Sequence, residues 1–309
     1  MDERDLLHEL TPVVEELYER HLATCKPWYP HEAVPWSHGR DFVAGEVWDA
    51  DALPVPEGIR SALFVNLLTE DNLPYYFQTI DRMFGAEGAW RDWSHRWTAE
   101  EARHSQALRD LLTVTRLVDL RALEDARMAQ MCGGVVPQPQ SPVDGFVYVA
   151  LQELATRVAH RNTAVALRAA LDDHPVADAA YEVVQRVAAD ENFHYLFYRD
   201  LSTAALRMAP ELVLPAIERQ VREFEMPGTG IVGFKRHAEV IAEANVYSLR
   251  QHHDAVLAPV LLKCWRLDEM GDLDETSERA RVGVLRRMAT IDSIATRLQQ
   301  RSELASASA

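Results

Sequence analysis

The chain has 309 residues, 48% of them hydrophobic, which is ample for a core, and a single domain over 1–309 is the simplest organisation. A formal charge of -16 argues against nucleic acid or an anionic membrane as the main partner. Cys25, Cys132 and Cys264 form no Cys-x-x-Cys pair, no stretch nears the ~18 apolar residues of a spanning helix, and no signal peptide opens the chain, so a protein of the reducing cytoplasm is expected.

Leu6, Leu10, Val13, Val14 and Leu17 recur at helical spacing and predict a first helix from Leu6 to about Thr24. The segment from Lys26 to Pro56, rich in proline and aromatics, is expected to wrap the helices. From Glu57 to about Phe84 the pattern is helical again, with Pro74 expected to kink or interrupt it just after Glu70. Gly85 and Gly88 mark a turn, and the next helix runs from about Ala89 to Arg116. Asp119 to Met131 reads as a short helix closed by Gly133 and Gly134. Two long helices follow, about Asp144 to Leu171 and Pro175 to about Met208, the second closed by Pro210. About three more helices are expected beyond it, ending in a frayed tail over about 303–309. No strand alternation is found, so the class is all-α.

The chemistry lies in two short motifs, Glu101-Ala-Arg-His104 and Glu191-Asn-Phe-His194, each preceded on an earlier apolar segment by one glutamate, Glu70 and Glu153. At roughly 3.6 residues per turn, positions three apart share one helix face, so each Glu and His can reach one metal together. A chain with this much Glu and His contains about one Glu-x-x-His by chance, so one motif alone means little. Context raises its value: Glu70 ends Val65-Asn-Leu-Leu-Thr, and Glu153 ends Phe146-Val-Tyr-Val-Ala-Leu-Gln. Four buried carboxylates that converge need cations. Oxygen and imidazole donors suit iron or manganese. The order Glu, Glu-x-x-His, given twice, resembles that of ferritin-like di-metal four-helix bundles, with additional N- and C-terminal helices here.

Four local sequences carry the likeness further: Thr69-Glu70-Asp-Asn-Leu-Pro74, Trp97-Thr-Ala-Glu-Glu101-Ala-Arg-His104, Gln152-Glu153-Leu-Ala-Thr156, and Ala188-Ala-Asp-Glu191-Asn-Phe-His194. Together with Phe146-Val-Tyr148 they resemble the soluble acyl-[acyl-carrier-protein] desaturases, most closely the actinobacterial branch, to which Lys26-Pro-Trp28 and Val34-Pro-Trp36 are also similar. The likeness runs from about Leu6 to Trp265. It implies a homodimeric enzyme with two iron ions that uses O2 and electrons from a ferredoxin-type donor to place a cis double bond in an acyl chain on acyl carrier protein. Carried over, the ligands are Glu70, Glu101, His104, Glu153, Glu191 and His194. Thr156 matches a threonine on the oxygen side of the site, Asp190 and Trp36 match positions of ligand support and electron transfer, and Gly145 and Phe146 match part of the acyl channel. Against these, Thr156 can bond back to its own helix, Trp36 can be a core tryptophan, and Gly145 a loop–helix junction. Phe193 departs from the pattern, standing where plant members carry a basic residue.

Glu100 lies about 100° around the helix from Glu101 and is left out of the ligand set. An acidic chain meeting an acidic carrier needs a local positive patch, for which Lys235-Arg236-His237 and Arg157, His160 and Arg161 are candidates. Rival readings are a di-iron hydroxylase or oxidase of the same fold, an iron-storage bundle, a ribonucleotide reductase small subunit, and a metal-free helical interaction protein. A storage bundle needs only about half this length. The reductase usually has aspartate where Glu70 stands, and a radical tyrosine after its first histidine, where Ser105 to Leu108 holds none.

Overall fold

The computed structural model describes residues 1–85 and 87–307; among them twelve α-helices and short 3-10 turns occur, and no strand. Helix α1 (Glu3–Thr24) starts at a capping box in which Asp2 and Asp5 exchange side-chain to backbone hydrogen bonds. The stretch expected to wrap the bundle contains only α2 (Pro30–Ala33) and 3-10 turns at Trp36–His38 and Ala50–Ala52.

Helix α3 (Glu57–Glu70) stops at Glu70, and α4 (Leu73–Phe84) begins two residues on with Pro74 in its first turn. The proline thus interrupts the helix, since it lacks the N–H that a continuous helix would use there. The break is fixed from outside: Asp71 accepts from Ser105 (2.5 Å), Arg109 (2.9 Å) and Arg127. Helix α5 (Gly88–Thr115) ends at Arg116, whose φ is 55°, and α6 (Leu120–Gly133) at the left-handed Gly134. Helices α7 (Pro142–Leu171) and α8 (Ala177–Met208) are the longest bundle members and pack along each other.

Helix α8 ends at Met208, just ahead of Pro210 as expected, and Pro210 also opens α9 (Pro210–Glu223), where its missing N–H costs nothing. Beyond it come α10 (Phe234–Glu243), α11 (Leu249–Gln251) continuing in π-helical geometry through His252–Leu257 and Pro259–Cys264, and α12 (Glu275–Ala307). That makes four helical segments where about three were expected. The tail expected to fray is helical to Ala307, and its last two residues lie outside the described ones.

Helices α3, α5, α8 and α7 close a four-membered ring, with α1 laid over α5 and α8, α10 over α3, and α12 over α9. Inside the ring the apolar core falls into two clusters. One is built on Trp90, Trp93 and Trp97 of α5 with Phe146, Phe197 and Tyr198, and the other on aliphatic residues such as Leu63, Leu108, Leu111 and Val184. Between them lies a layer of buried polar side chains.

Candidate metal centre

That layer is where the four bundle helices bring the six predicted groups together. Glu70 comes from the last turn of α3, Glu101 and His104 from mid-α5, Glu153 from α7, and Glu191 and His194 from α8; each is at most 7% exposed. They form two interlocking sets, Glu70, Glu101, His104 and Glu191, and Glu101, Glu153, Glu191 and His194, whose donor atoms lie within 4.8 Å of one another. Glu101 and Glu191 belong to both sets, and the His104 and His194 rings stand 5.9 Å apart.

Each imidazole turns Nδ1 into the centre. His104 Nδ1 lies 3.5 Å from Glu101, 3.7 Å from Glu191 and 3.8 Å from Glu70, while His194 Nδ1 lies 2.8 Å from Glu101 and 3.6 Å from Glu153. Both Nδ1 atoms, with Glu101 Oε1, Glu153 Oε2 and Glu191 Oε2, are buried without an aligned hydrogen bond. Five such orphans in one layer would cost several kcal/mol each if left so, and they point at common centres. The donor set therefore fits two cations.

The outward atoms of both histidines, Glu70 and Glu153, by contrast, are held. His104 Nε2 donates to Asp190 (3.2 Å), which also accepts from Trp28 Nε1 (2.8 Å) and Arg103 (2.6 Å). His194 Nε2 donates to Glu100 (3.0 Å), which is bonded to His21 Nε2 (3.0 Å) and Arg96 (2.6 Å). Trp97 Nε1 donates to Glu153 (2.9 Å), and His160 Nε2 to Glu70 (3.0 Å), with Asn66 Nδ2 donating to the other His160 nitrogen. Such outer bonds fix ring orientation and raise ligand basicity.

The charges reflect this crowding. Burial pulls the His104 and His194 pKa values down, but the carboxylates around them lift both well above the ordinary histidine value. Burial and the charges of Glu101 and Glu153 hold Glu191 well above the usual carboxylate range. At Glu70 burial is outweighed by hydrogen bonds from His104 and His160, which bring it to about 2. A site in which histidines rise and a carboxylate rises with them is short of positive charge, and cations would supply it.

Beside the layer lies a narrow apolar cavity lined by Ile80, Met83, Phe84, Tyr148 and Val149, with Glu70, Glu101, Glu191 and Thr156 on one wall. Gly145 lines it too, and a Cβ there would collide with the Met83 sulfur, so the glycine leaves room for the Met83 side chain against α7. Thr156 Oγ1 donates to the Gln152 and Glu153 carbonyls (both 3.1 Å), so it bonds back to its own helix while facing the cavity. A smaller cavity shares Thr69, Glu70, Thr156 and Pro227 with the first. It shares Asn66, Ala159, Met226 and Phe234 with a wide groove bounded by α3, α7, α10 and α12.

Three expectations change. Trp36 is 48% exposed with its indole N–H on the His31 carbonyl, because its short 3-10 turn lies outside the bundle; of the tryptophans in that stretch before α3, Trp28 is the one bonded into the layer. Phe146 is fully buried in the apolar core and does not line the cavity, since it points away from the face that Gly145 and Tyr148 present. His160 belongs to no surface patch: it is 1% exposed and holds Glu70. Its position seven residues after Glu153 places it on the same face of α7, a signal the sequence did contain. Glu100, left out by the helix geometry, is 2% exposed because α1 covers that face.

Comparison with known proteins gives a consistent result. The family model described as Fatty acid desaturase matches residues 2–309. DesA1 of Mycobacterium tuberculosis, whose name places it among acyl-[acyl-carrier-protein] desaturases, is 43% identical over 287 residues, covering 90% of this chain and 82% of its own. A rice chloroplast stearoyl-[acyl-carrier-protein] 9-desaturase is 31% identical over 260 residues, covering 79% of this chain and 66% of its own. The X-ray structure of DesA2 from Mycobacterium tuberculosis superposes with a TM-score of 0.69 at 29% identity, covering 90% of this chain and 99% of that one.

Proposed function

The chain belongs to the fatty acid desaturase family, and from that premise we propose that it is an acyl-[acyl-carrier-protein] desaturase holding two iron ions between α3, α5, α7 and α8. The observation that carries the reading is the pair of interlocking donor sets, sharing Glu101 and Glu191, on the wall of an apolar cavity. Glu70 and His104 would complete the shell of one ion and Glu153 and His194 that of the other, with Glu101 and Glu191 between them. When bound, the irons supply the activation of O2 needed to take hydrogen from unactivated methylenes.

The protein's own residues do the rest. Asp190 and Glu100 set each imidazole with Nδ1 inward, and Trp97 and His160 do the same for Glu153 and Glu70. Ile80, Met83, Phe84 and Val149 exclude water and hold a methylene chain against the metal wall, while Met83 packed on Gly145 closes the far end. The net reaction consumes O2, two electrons and two protons and yields two waters and one double bond.

The linked cavities support a route for the chain, from the wide groove past Phe234 and Met226, beside Glu70 and Thr156, and on to Met83. Arg222 and Arg287 line the groove, and the exposed Lys235 and Arg236 adjoin it on α10, so the acidic carrier would dock there despite the overall charge. A ferredoxin-type donor would approach Trp28, whose indole is bonded to Asp190 and flanked by Arg103 and Arg186. We expect a homodimer of the cytoplasm; no helix among the described residues is long and apolar enough to cross a membrane.

The test is a product assay. Iron-loaded protein, a saturated acyl carrier, reduced ferredoxin and O2 should give a monounsaturated chain by mass spectrometry. A hydroxylated chain would replace desaturase by hydroxylase, and an unchanged substrate with two irons bound would remove the acyl-carrier reading.

A further inference from the structure

The aromatic side chains around the centre are distributed unevenly. Next to His194 stand Trp93 (ring centres 6.2 Å apart) and Trp97 (6.4 Å), and Trp93 continues to Tyr198 at 5.8 Å. Trp90, Trp93 and Trp97 follow one another at spacings of three and four along α5, so they line a single face leading away from the ligands. Trp90 ends the row: it is packed on Phe84, gives its N–H to the Leu7 carbonyl of α1, and is 5% exposed, whereas Trp93 is fully buried. The apolar cluster on the His104 side holds Trp28 as its one buried aromatic, its other buried members being aliphatic or alanine. Packing alone would be served by leucine in either place. Indoles add a second property, since they are among the side chains most easily oxidised by one electron.

We propose that Trp97, Trp93 and Trp90 form an electron-hopping route that drains oxidising equivalents from the metal centre to Trp90, at the seam between α5 and α1, when O2 reacts without an acyl chain. The inference rests on the di-iron reading above. In productive turnover two of the four electrons that reduce O2 to water come from the C–H bonds of the substrate. With the cavity empty of substrate those two are missing, and an oxidised centre surrounded by glutamates and histidines would attack its own ligands. Along the row each indole passes one electron inward and receives one from its outward neighbour, so no bond in the row is made or broken. Trp90 is refilled by a thiol reductant from solution. For one O2 reduced wholly by this route, four thiols give four electrons and four protons, becoming two disulfides, and two waters form.

The test uses the full-length protein loaded with Fe(II), its iron content measured first, and given O2 without acyl carrier or thiol. Freeze-quenched paramagnetic resonance should show an indole radical, and peptide mass spectrometry should find added oxygen concentrated on Trp90. Trp93→Phe should cut oxygen addition at Trp90 several-fold and shift it to Trp97 and the ligand segments, while Trp93→Tyr, which keeps an oxidisable ring, should restore it. Should Trp93→Phe fail to hold iron, Trp90→Phe decides the matter, because added oxygen should then move inward to Trp93. Oxidation of Trp90 that is unchanged in Trp93→Phe, or no oxidised tryptophan in wild type carrying two irons, would overturn the route alone. Wild type that binds no iron would overturn the metal centre and the route together.

Discussion

The two halves of the metal layer are built alike at the inner edge and differently behind it. On both sides an imidazole shows Nδ1 to the centre and gives Nε2 to a carboxylate, Asp190 at 3.2 Å or Glu100 at 3.0 Å, which an arginine also grips. Both carboxylates are held below their ordinary pKa; at each, burial opposes the shift but hydrogen bonds from histidine outweigh it. Behind Asp190 stands an indole, Trp28, and an aliphatic core; behind Glu100 stands an imidazole, His21, next to Cys25 and the tryptophans of α5. Equal inner halves suit a centre that must hold two like ions. Unequal outer halves are what the proposed donor side at Trp28 and the proposed tryptophan route would require.

The largest break in this comparison should come from the groups common to both halves. Replacing Glu101 or Glu191 by alanine removes a donor from both sets and should abolish binding of both ions and all turnover, whereas Glu70→Ala and Glu153→Ala should each leave one ion. Iron per chain distinguishes these outcomes, and two irons retained in Glu191→Ala would refute the shared role. Next come the outer carboxylates: Asp190→Asn and Glu100→Gln should each weaken metal binding by roughly 10–100-fold, read from a competitive chelator titration. A loss in one and none in the other would show that the halves are not equivalent inside.

Smaller effects sharpen the outer difference. Trp28→Phe removes one charge-assisted hydrogen bond, worth about 1.5–3 kcal/mol, and should slow donor-driven turnover while two irons remain bound. His21→Phe removes the matching bond on the other half and should leave donor-driven turnover nearer wild type. If the two variants slowed reduction of the centre equally in stopped-flow measurements, the donor side assigned to Trp28 would be wrong. Smallest is a steric change: Gly145→Ala sets a methyl against the flexible end of Met83, which can swing aside, and the gain in helix propensity of about 1 kcal/mol should leave denaturant unfolding at or slightly above wild type while the displaced Met83 shortens the acyl chain accepted.

What the sequence made legible follows from local geometry. Two residues three apart on a helix must share a face, so the pairs Glu101 with His104 and Glu191 with His194 could be read without a fold. The interruption at Pro74 was legible for the same reason, since a missing N–H acts on its own helix. What was lost depends on which distant segment covers a face. Helix geometry could only turn Glu100 away from the ligands; that it supports His194 follows from α1, some eighty residues earlier, which covers that face and sets His21 against it. Trp28 and Trp36 lie in a loop with no periodicity to orient either, and only the packed structure shows which one turns inward. His160, read beside Arg157 and Arg161 as part of a basic patch, is recognised as a buried partner only when its register with Glu153 and Thr156 is followed along α7.

The most direct test of the central claim is iron per chain after anaerobic Fe(II) loading, followed by the absorption spectrum after oxidation, on wild type and His104→Ala. Two irons with an oxo-bridged spectrum in wild type, lost in a variant of unchanged helical content, is the result this account predicts. Well-folded wild type that takes up no specific iron, or a His104→Ala variant that keeps both irons and the same spectrum, would contradict it.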